Sequence, residues 1–458
     1  MAVNPVEEAA YEAVELEQWG SEHLADFQQT FNKLHNLLMK RGKKVPISFQ
    51  TTAGGTTRLP MRVPFRPQGG AAIQQLSAES AGSIPYFTRG TGSTTDGFAA
   101  GPVVLVNTCE ISNLAMWATD TKERGLVKVQ KEEMEHSLLA FNNGLEGLFN
   151  GDGSGTIDSI PTTATVSSSS GSGAQTSFIS GLNTVAGFAD QQVIQVFPSV
   201  GGSTRGTATI SYVDPVTNTL WFSTALPSTG GATATGDILV VQGATGAAGS
   251  SVYGYRYWNV NGNTGTIAGI NKALYPSRLS TPTINLNNSG AVTPALAGRI
   301  EVLLSRARGD EYDEEEDEFY YCNPVQTYGM SQDFYNRGYT RLDENDKAGS
   351  EVPDTARKFL QKSYGGVELH TSNTAQPTRI DRFATKDWIV GELMETRLHD
   401  WGGGNVIAPV PAITSAAATA GNATYYNSIQ FAYETGLQLV CSDPKGQFYV
   451  QGAPVATI

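Results

Sequence analysis

Apolar positions across residues 120–151 recur at steps of seven, four and three: Val127, Met134, Leu138, Phe141, Leu145 and Leu148. That spacing draws one apolar stripe along a helix. Lys122, Arg124, Lys128, Lys131, Glu132 and Glu135 occupy the rest of its surface. Asp120 with Glu123 predicts a capping box at the start, and Gly151-Asp152-Gly153 predicts the stop. About thirty residues at ~1.5 Å each make a rod of roughly 45 Å, against a common globular length of about 11–12 residues. Such a helix is either a core element of a large domain or a strut with other elements laid across it. A second helix is predicted over 6–40, where Phe27, Phe31, Leu34 and Leu38 make the stripe. Its acids come early and Lys40, Arg41, Lys43 and Lys44 come late, the order that a helix dipole favours. An amphipathic terminal helix needs a surface, either its own body or a neighbouring subunit.

Residues 46–100 change period. Arg58-Leu59-Pro60-Met61-Arg62-Val63-Pro64-Phe65-Arg66 alternates strictly, with Leu59, Met61, Val63 and Phe65 on one face and the arginines on the other. Pro60 and Pro64 share parity, so both missing N–H groups fall on one strand edge, where proline is tolerated. A second strand-like run at 83–89, ending in Arg89, completes a two-stranded ribbon. A lone ribbon is marginal in water, so this one needs a surface; the plain alternative is a hairpin over its own core. Pro102-Val103-Val104-Leu105-Val106 predicts a buried strand leading to the long helix. After that helix, residues 150–158 imitate the start of a calcium loop. Pro161 stands where an EF-hand needs a bidentate Glu, so a tight Gly-rich turn without metal is expected.

Residues 167–173 read as a flexible linker. Strands are predicted at 193–197, 207–213, 219–223 and 237–242, with Asp214-Pro215-Val216-Thr217-Asn218 as a turn. Together, 163–250 reads as a small all-β module inserted into the chain. Further on, Thr293 and Pro294 open a helix at N-cap and N1, which runs through Leu296, Ile300, Leu303 and Leu304 to Arg308 before Gly309. Residues 310–318 hold eight acids, broken only by Tyr312; runs of like charge are usually solvated loops. Phe319-Tyr320-Tyr321-Cys322 predicts a strand that ends at Asn323-Pro324 with a helix after it, and strands are expected at 435–440 and 447–450.

Composition narrows the class. At 458 residues the chain has room for about three domains. A net charge of −13 argues against a nucleic-acid-binding module. Cys109, Cys322 and Cys441 are too few and too dispersed for a disulfide framework or zinc knuckle. Glu7, Glu8, Glu15 and Glu17 stand where a signal peptide would be cationic and apolar, and no run reaches the roughly 20 apolar residues of a membrane span. The expectation is a soluble protein made in a reducing cytoplasm, with no membrane partner.

Enzyme chemistry finds no foothold. Glu314 with Glu316, or Asp381 with Glu392, are conceivable carboxylate pairs, but nothing sets their separation. His23, His35, His136, His370 and His399 lack zinc spacing, and no Walker loop or dinucleotide fingerprint occurs. No catalytic residue, cofactor or metal is expected.

Several motifs in order carry a resemblance. They are the long helix ended by Gly-Asp-Gly, the ribbon-like loop before it, Gly269-Ile270-Asn271-Lys272 with Tyr275-Pro276, the helix opened by Thr293-Pro294, the strand into Asn323-Pro324, and Leu437-Gln438-Leu439-Val440-Cys441 before Asp443-Pro444. From about residue 46 to the end this resembles the major capsid proteins of tailed bacteriophages, the Hong Kong 97-like fold. Lys272 stands where the family pattern leads one to expect Arg.

The resemblance implies an α+β fold with a long spine helix, an extended β-ribbon loop, peripheral and axial domains and an inserted small all-β domain. Its divisions would be 1–45 an N-terminal helical arm, 46–100 the extended loop, 101–162 the peripheral domain with the spine helix, 163–250 the inserted domain, 251–424 the axial domain, and 425–458 C-terminal strands returning to the peripheral domain. It implies a structural subunit that forms pentamers and hexamers of an icosahedral head and encloses double-stranded DNA without reading its sequence. The location would be the virion, assembled in the host cytoplasm. Implied partners are further copies of the chain, portal and scaffold proteins, and a decoration protein, with 163–250 projecting outward. Subunit contacts are expected from Arg58, Arg62, Phe65, Arg66, Arg89, Phe27 and Phe31, with the acidic run 310–318 near the capsomer axis or opposite loop arginines. Some relatives crosslink a lysine to an asparagine; lysine is absent from 47–121, which excludes a crosslinking lysine on the extended loop. The competing readings are a non-viral nanocompartment shell of the same fold and a β-rich surface-binding adhesin.

Overall fold

The computed structural model describes residues 34, 37–38, 41–46, 49–52, 55–58, 98, 101, 103–112, 123–168, 177–247, 249–287, 292, 294–308, 318–328, 367–401, 408–411 and 426–453. Its first part holds β1 (Lys43–Pro46), the hairpin β2 (Phe49–Thr52) and β3 (Gly55–Arg58), β4 (Val103–Ser112) and helix α1 (Glu123–Phe149). Next come β5 (Thr156–Ser159), β6 (Thr165–Ser167), β7 (Ser177–Ser180), β8 (Val193–Phe197), β9 (Gly206–Asp214), β10 (Thr219–Phe222) and β11 (Ile238–Val241). A two-residue hairpin, β12 (Thr266–Ile267) with β13 (Ile270–Asn271), precedes β14 (Thr283–Asn285) and helix α2 (Pro294–Arg308). The remainder is β15 (Glu318–Cys322), β16 (Glu368–Thr371), β17 (Arg379–Ala384), β18 (Trp388–Leu398), β19 (Ala408–Pro411), β20 (Tyr426–Cys441) and β21 (Phe448–Gln451).

α1 spans 27 residues, about 40 Å at ~1.5 Å per residue. Met134, Leu138, Phe141, Leu145 and Leu148 of its stripe are buried. The helix lies on a sheet in which β20 is central: β18 and β19 pair along one of its edges, β4 along the other, and β1 runs parallel to β18. Met134, Leu138 and Phe141 meet Ile111, Phe431 and Tyr433 of that sheet in one apolar cluster. Past Phe149 the chain turns sharply, the Gly151 N–H donating to the Leu148 carbonyl at 3.0 Å. Gly254 packs against this turn. A Cβ there would collide with the carbonyl oxygens of Leu148, Phe149 and Gly151.

A second sheet has the order β14-β21-β17-β15-β16. α2 covers it through Leu296, Ile300 and Leu304, which join Tyr320, Ile380, Phe448 and Val450 in a core of their own. The largest apolar cluster joins the two sheets, with Trp258, Phe319, Phe383, Trp388 and Leu439 among its members. A third, seven-stranded antiparallel sheet has the order β5-β11-β8-β9-β10-β7-β6 around a separate core that includes Ile179, Ile194, Ile210, Leu220 and Leu239.

Four sequence expectations change here. Val103–Val106 is not a buried run: β4 alternates, with Val104 and Val106 each 51% exposed. Only one face of this sheet is packed on α1, which antiparallel sheets permit. β21 does not return to the sheet under α1; it pairs with β14 and β17 in the second sheet. The short 3-10 turn Pro444–Gly446 redirects the chain between the two sheets. The β module's sheet begins before residue 163, because β5 pairs with β11; left-handed Gly153 and Gly155 (φ +82° and +78°) fold the chain back directly after α1. Finally, Glu318, the last of the acidic run, is not solvated. It is buried at the start of β15 and accepts from Arg382 Nε at 2.8 Å. A desolvated guanidinium on the neighbouring strand requires that carboxylate.

The predicted helix 6–40 is described only at its end. There Leu34 and Leu38 are fully buried in the largest core, and the Leu34 N–H donates to Glu146 Oε1 at 3.4 Å. This end of the arm docks on its own body. The capping residue Asp120, the ribbon at 59–66 and 83–89 and the acids at 310–317 lie outside the described residues.

Candidate assembly surface

Of the expected contact residues, Arg58 closes β3, opposite Phe49 in the hairpin register. Arg62, Phe65, Arg66, Arg89, Phe27 and Phe31 lie outside the described residues. Among the described residues the sheet under α1 has an open edge.

β4 is an edge strand. All ten of its residues pair with β20, from Val103 opposite Leu437 to Ser112 opposite Ser428. Among the described residues no strand is bonded to its outer edge. Odd positions point at α1, where the Asn107 amide donates to the Ser137 carbonyl at 2.9 Å. Even positions Val104, Val106, Thr108 and Glu110 are exposed. Along the open edge runs a groove of about 860 Å³, walled by α1 at His136, Ala140 and Gly144 and by the β module at 187–193. Glu110 and Asp190 line it; no lysine or arginine does. Gly144 has open space where a Cβ would stand, so the helix wall is lowered by one side chain at that point. The sequence signal for this face was the alternation Val104, Val106, Thr108, Glu110, which the apolar run of its first four residues conceals.

The buried charges are structural. Arg379 grips Asp381 through Nε and Nη2 at 2.8–2.9 Å and lies 4.0 Å above the Tyr449 ring. Arg382 bridges Glu318 and Glu301. Asp381 is therefore engaged by a guanidinium, and Glu392 stands opposite Leu437 in the sheet under α1. Glu314 and Glu316 lie outside the described residues. His370 contacts Glu368 and His399 contacts Glu434; His136 lines the groove. Lys272 is buried, its Nζ donating to the Val260 carbonyl at 3.2 Å, and burial pushes its ammonium below the usual lysine range. Among the described residues no three acidic, histidine or cysteine side chains come together around a metal-sized space, and no helix is long and apolar enough to cross a membrane.

No protein-family model matches the chain, and no curated protein matches it. Among solved structures, the chain is similar to the capsid asymmetric unit of cyanophage A-1(L), at 11% identity and a TM-score of 0.45, covering 92% of this chain and 93% of that one. It is similar to the capsid of a native GTA particle, at 9% identity and a TM-score of 0.42, covering 91% and 89%. It is also similar to a structure from Gordonia phage Cozz, at 11% identity and a TM-score of 0.37, covering 91% and 85%. At TM-scores below 0.5 these likenesses decide nothing about individual residues. The chain is a mixed α+β protein, and these three solved structures come from phage and GTA particles.

Proposed function

We propose that this chain is a structural shell subunit whose copies assemble, without catalysis, into the pentamers and hexamers of an icosahedral phage head around double-stranded DNA. The observation that carries the reading is the open edge of β4. A ten-residue edge strand with half-exposed valines beside a deep groove is a template for another strand. The same chain supplies a matching segment. In 58–66 the alternation of Leu59, Met61, Val63 and Phe65 would match the apolar Val104 and Val106, and Arg58, Arg62 and Arg66 would suit a groove whose lining holds Glu110 and Asp190 and no lysine or arginine. Pro60 and Pro64 blunt one edge of that segment, so it pairs through the other. Loop of one copy on edge of the next is a heterologous contact, which closes into rings where the rotation between copies closes.

Burial along such a contact contributes about 25 cal/mol per Å², less the cost of ordering the loop. Each contact is then modest and reversible, which lets misplaced subunits leave. In this reading 46–100 is the extended loop, α1 the spine over the sheet of β1, β18, β20, β19 and β4, the module from β5 to β11 an inserted domain, and the second sheet with α2 the axial domain; portal, scaffold and decoration proteins are the further partners. Negative-stain microscopy of the chain, expressed alone and with the genes beside its own, tests it. Closed icosahedral particles or fivefold and sixfold rings are expected. A monodisperse monomer in both preparations would overturn the reading.

A further inference from the structure

Asparagine followed by glycine occurs three times, at Asn143-Gly144, Asn150-Gly151 and Asn261-Gly262. The pair is reactive because glycine carries no Cβ to keep its nitrogen away from the asparagine side chain, and ring closure is an intramolecular attack. The structure separates the three. Asn143-Gly144 lies within α1, whose hydrogen bonds hold the glycine N–H. Asn150 is 4% exposed, its amide donates to Thr374 Oγ1 at 2.6 Å, and the Gly151 N–H is committed to the Leu148 carbonyl. Asn261 and Gly262 stand exposed in the loop 260–265.

In that loop one hydroxyl touches both groups that would react. The Gly262 N–H donates to Ser280 Oγ at 3.0 Å, and the Ser280 hydroxyl donates to Asn261 Oδ1 at 2.9 Å. The surroundings hold the loop in this arrangement. The Asn261 N–H donates to the Tyr449 hydroxyl at 3.1 Å, and the Val260 carbonyl accepts from the Thr281 N–H at 3.3 Å and from Lys272 Nζ at 3.2 Å. Ser280 is half-buried, in extended backbone directly after the short helix Pro276–Leu279.

We infer that Asn261 converts itself to aspartate and isoaspartate, with Ser280 as the proton carrier. Gly262 N bonds to Asn261 Cγ while its proton passes to Ser280 Oγ and the serine proton passes to Asn261 Oδ1. The tetrahedral carbon then carries a hydroxyl and the amino group. The hydroxyl proton moves to that amino nitrogen, the carbonyl re-forms, and the carbon–nitrogen bond breaks with loss of ammonia, leaving a succinimide. Water, the one co-reactant, opens the ring at either carbonyl. Donation to Oδ1 stabilises charge developing on that oxygen, and sharing one hydroxyl keeps nucleophile and carbonyl together. The product adds a negative charge to an exposed loop. Its isoaspartyl form lengthens the backbone beside Val260, whose carbonyl caps the buried Lys272. Older copies of the chain thus differ from new ones in charge and in local structure.

Incubating the intact chain at neutral pH in heavy-oxygen water, followed by peptide mass spectrometry, tests the site. Label should enter at residue 261 and not at 143 or 150. It should also enter at 261 faster than in the same chain unfolded in urea, where the three sites should label alike. Ser280→Ala should slow labelling at 261 about tenfold, less than the ~10²–10³ lost with a donor in an enclosed oxyanion site, because this loop is in water. Ser280→Thr keeps a hydroxyl on a residue suited to extended backbone and should stay near the parent rate. Circular dichroism melting establishes that both variants are folded. Slower labelling at 261 in the folded chain than in the unfolded one, a Ser280→Ala rate at or above the parent's, or a Ser280→Thr rate as low as that of Ser280→Ala would each overturn the inference.

Discussion

Glu434 shows how single residues report on the sheet under α1. Its carboxylate is nearly buried and accepts from Arg397 Nε at 2.9 Å and His399 Nδ1 at 2.7 Å. Burial opposes its charge, but the hydrogen bonds from His399 and Arg397 outweigh burial and hold the carboxyl below the usual range. A folded-state value below the unfolded one means that the contribution is present above the unfolded value, near about pH 4.3, and is lost as pH falls through the folded value. Glu434→Gln should therefore flatten the acid limb of the stability curve. Urea midpoints taken from about pH 6 to about pH 3 for both proteins check this; parallel limbs would contradict it. None of this pairing was legible in the sequence. Arg397 and Glu434 are 37 residues apart, and only the β18–β20 register brings them together. The same holds for Arg382 with Glu318. By contrast Arg379 and Asp381, two residues apart on one strand, share a face by the period of two, yet that spacing alone does not distinguish a buried pair from an exposed one.

At the scale of elements, the long helix was legible because its stripe is a local pattern that burial against any sheet preserves. The role of its glycines was not. Gly144 of α1 and Gly298 of α2 both have open space at Cβ, and in a helix interior Gly costs about 0.5–1 kcal/mol relative to Ala. Gly144→Ala and Gly298→Ala should each raise stability by about that amount in urea unfolding. Gly144 lines the groove beside β4 and Gly298 does not. Assembly should therefore fall in Gly144→Ala and persist in Gly298→Ala, as read by particle yield on a density gradient. Equal yields would separate the groove from assembly. β4 itself was foreseen as a strand but with the wrong exposure, since Val103 to Val106 reads identically whether one face or both are covered.

For the whole molecule, the question is whether the open face of β4 belongs to a free protein or to a shell. Val106 is half exposed, so Val106→Glu should change monomer stability by only about 0.5 kcal/mol. If copies pair along β4, the same change buries a charge at the contact and should abolish particles while leaving a folded subunit. Circular dichroism melting together with negative-stain microscopy gives both readings. Particles formed at the parent yield would place the subunit contact elsewhere.

The sequence by itself determined the elements whose signal is local: α1 from its stripe, α2 from Pro294 and its apolar spacing, the strands at 193–197 and 319–322 from their residues and flanking turns, and the order of motifs that carries the family resemblance. Tertiary structure alone decided which strands share a sheet. β1 reaches across the chain to β18, β21 leaves β20 for the second sheet, and β5 joins the module before the segment expected to begin it. Periodicity along a chain encodes which side of an element is apolar. It does not encode which partner covers that side, because any apolar surface of matching shape lowers the free energy in the same way. The partner is chosen by turns, chain connectivity and the few buried charges that accept one neighbour only.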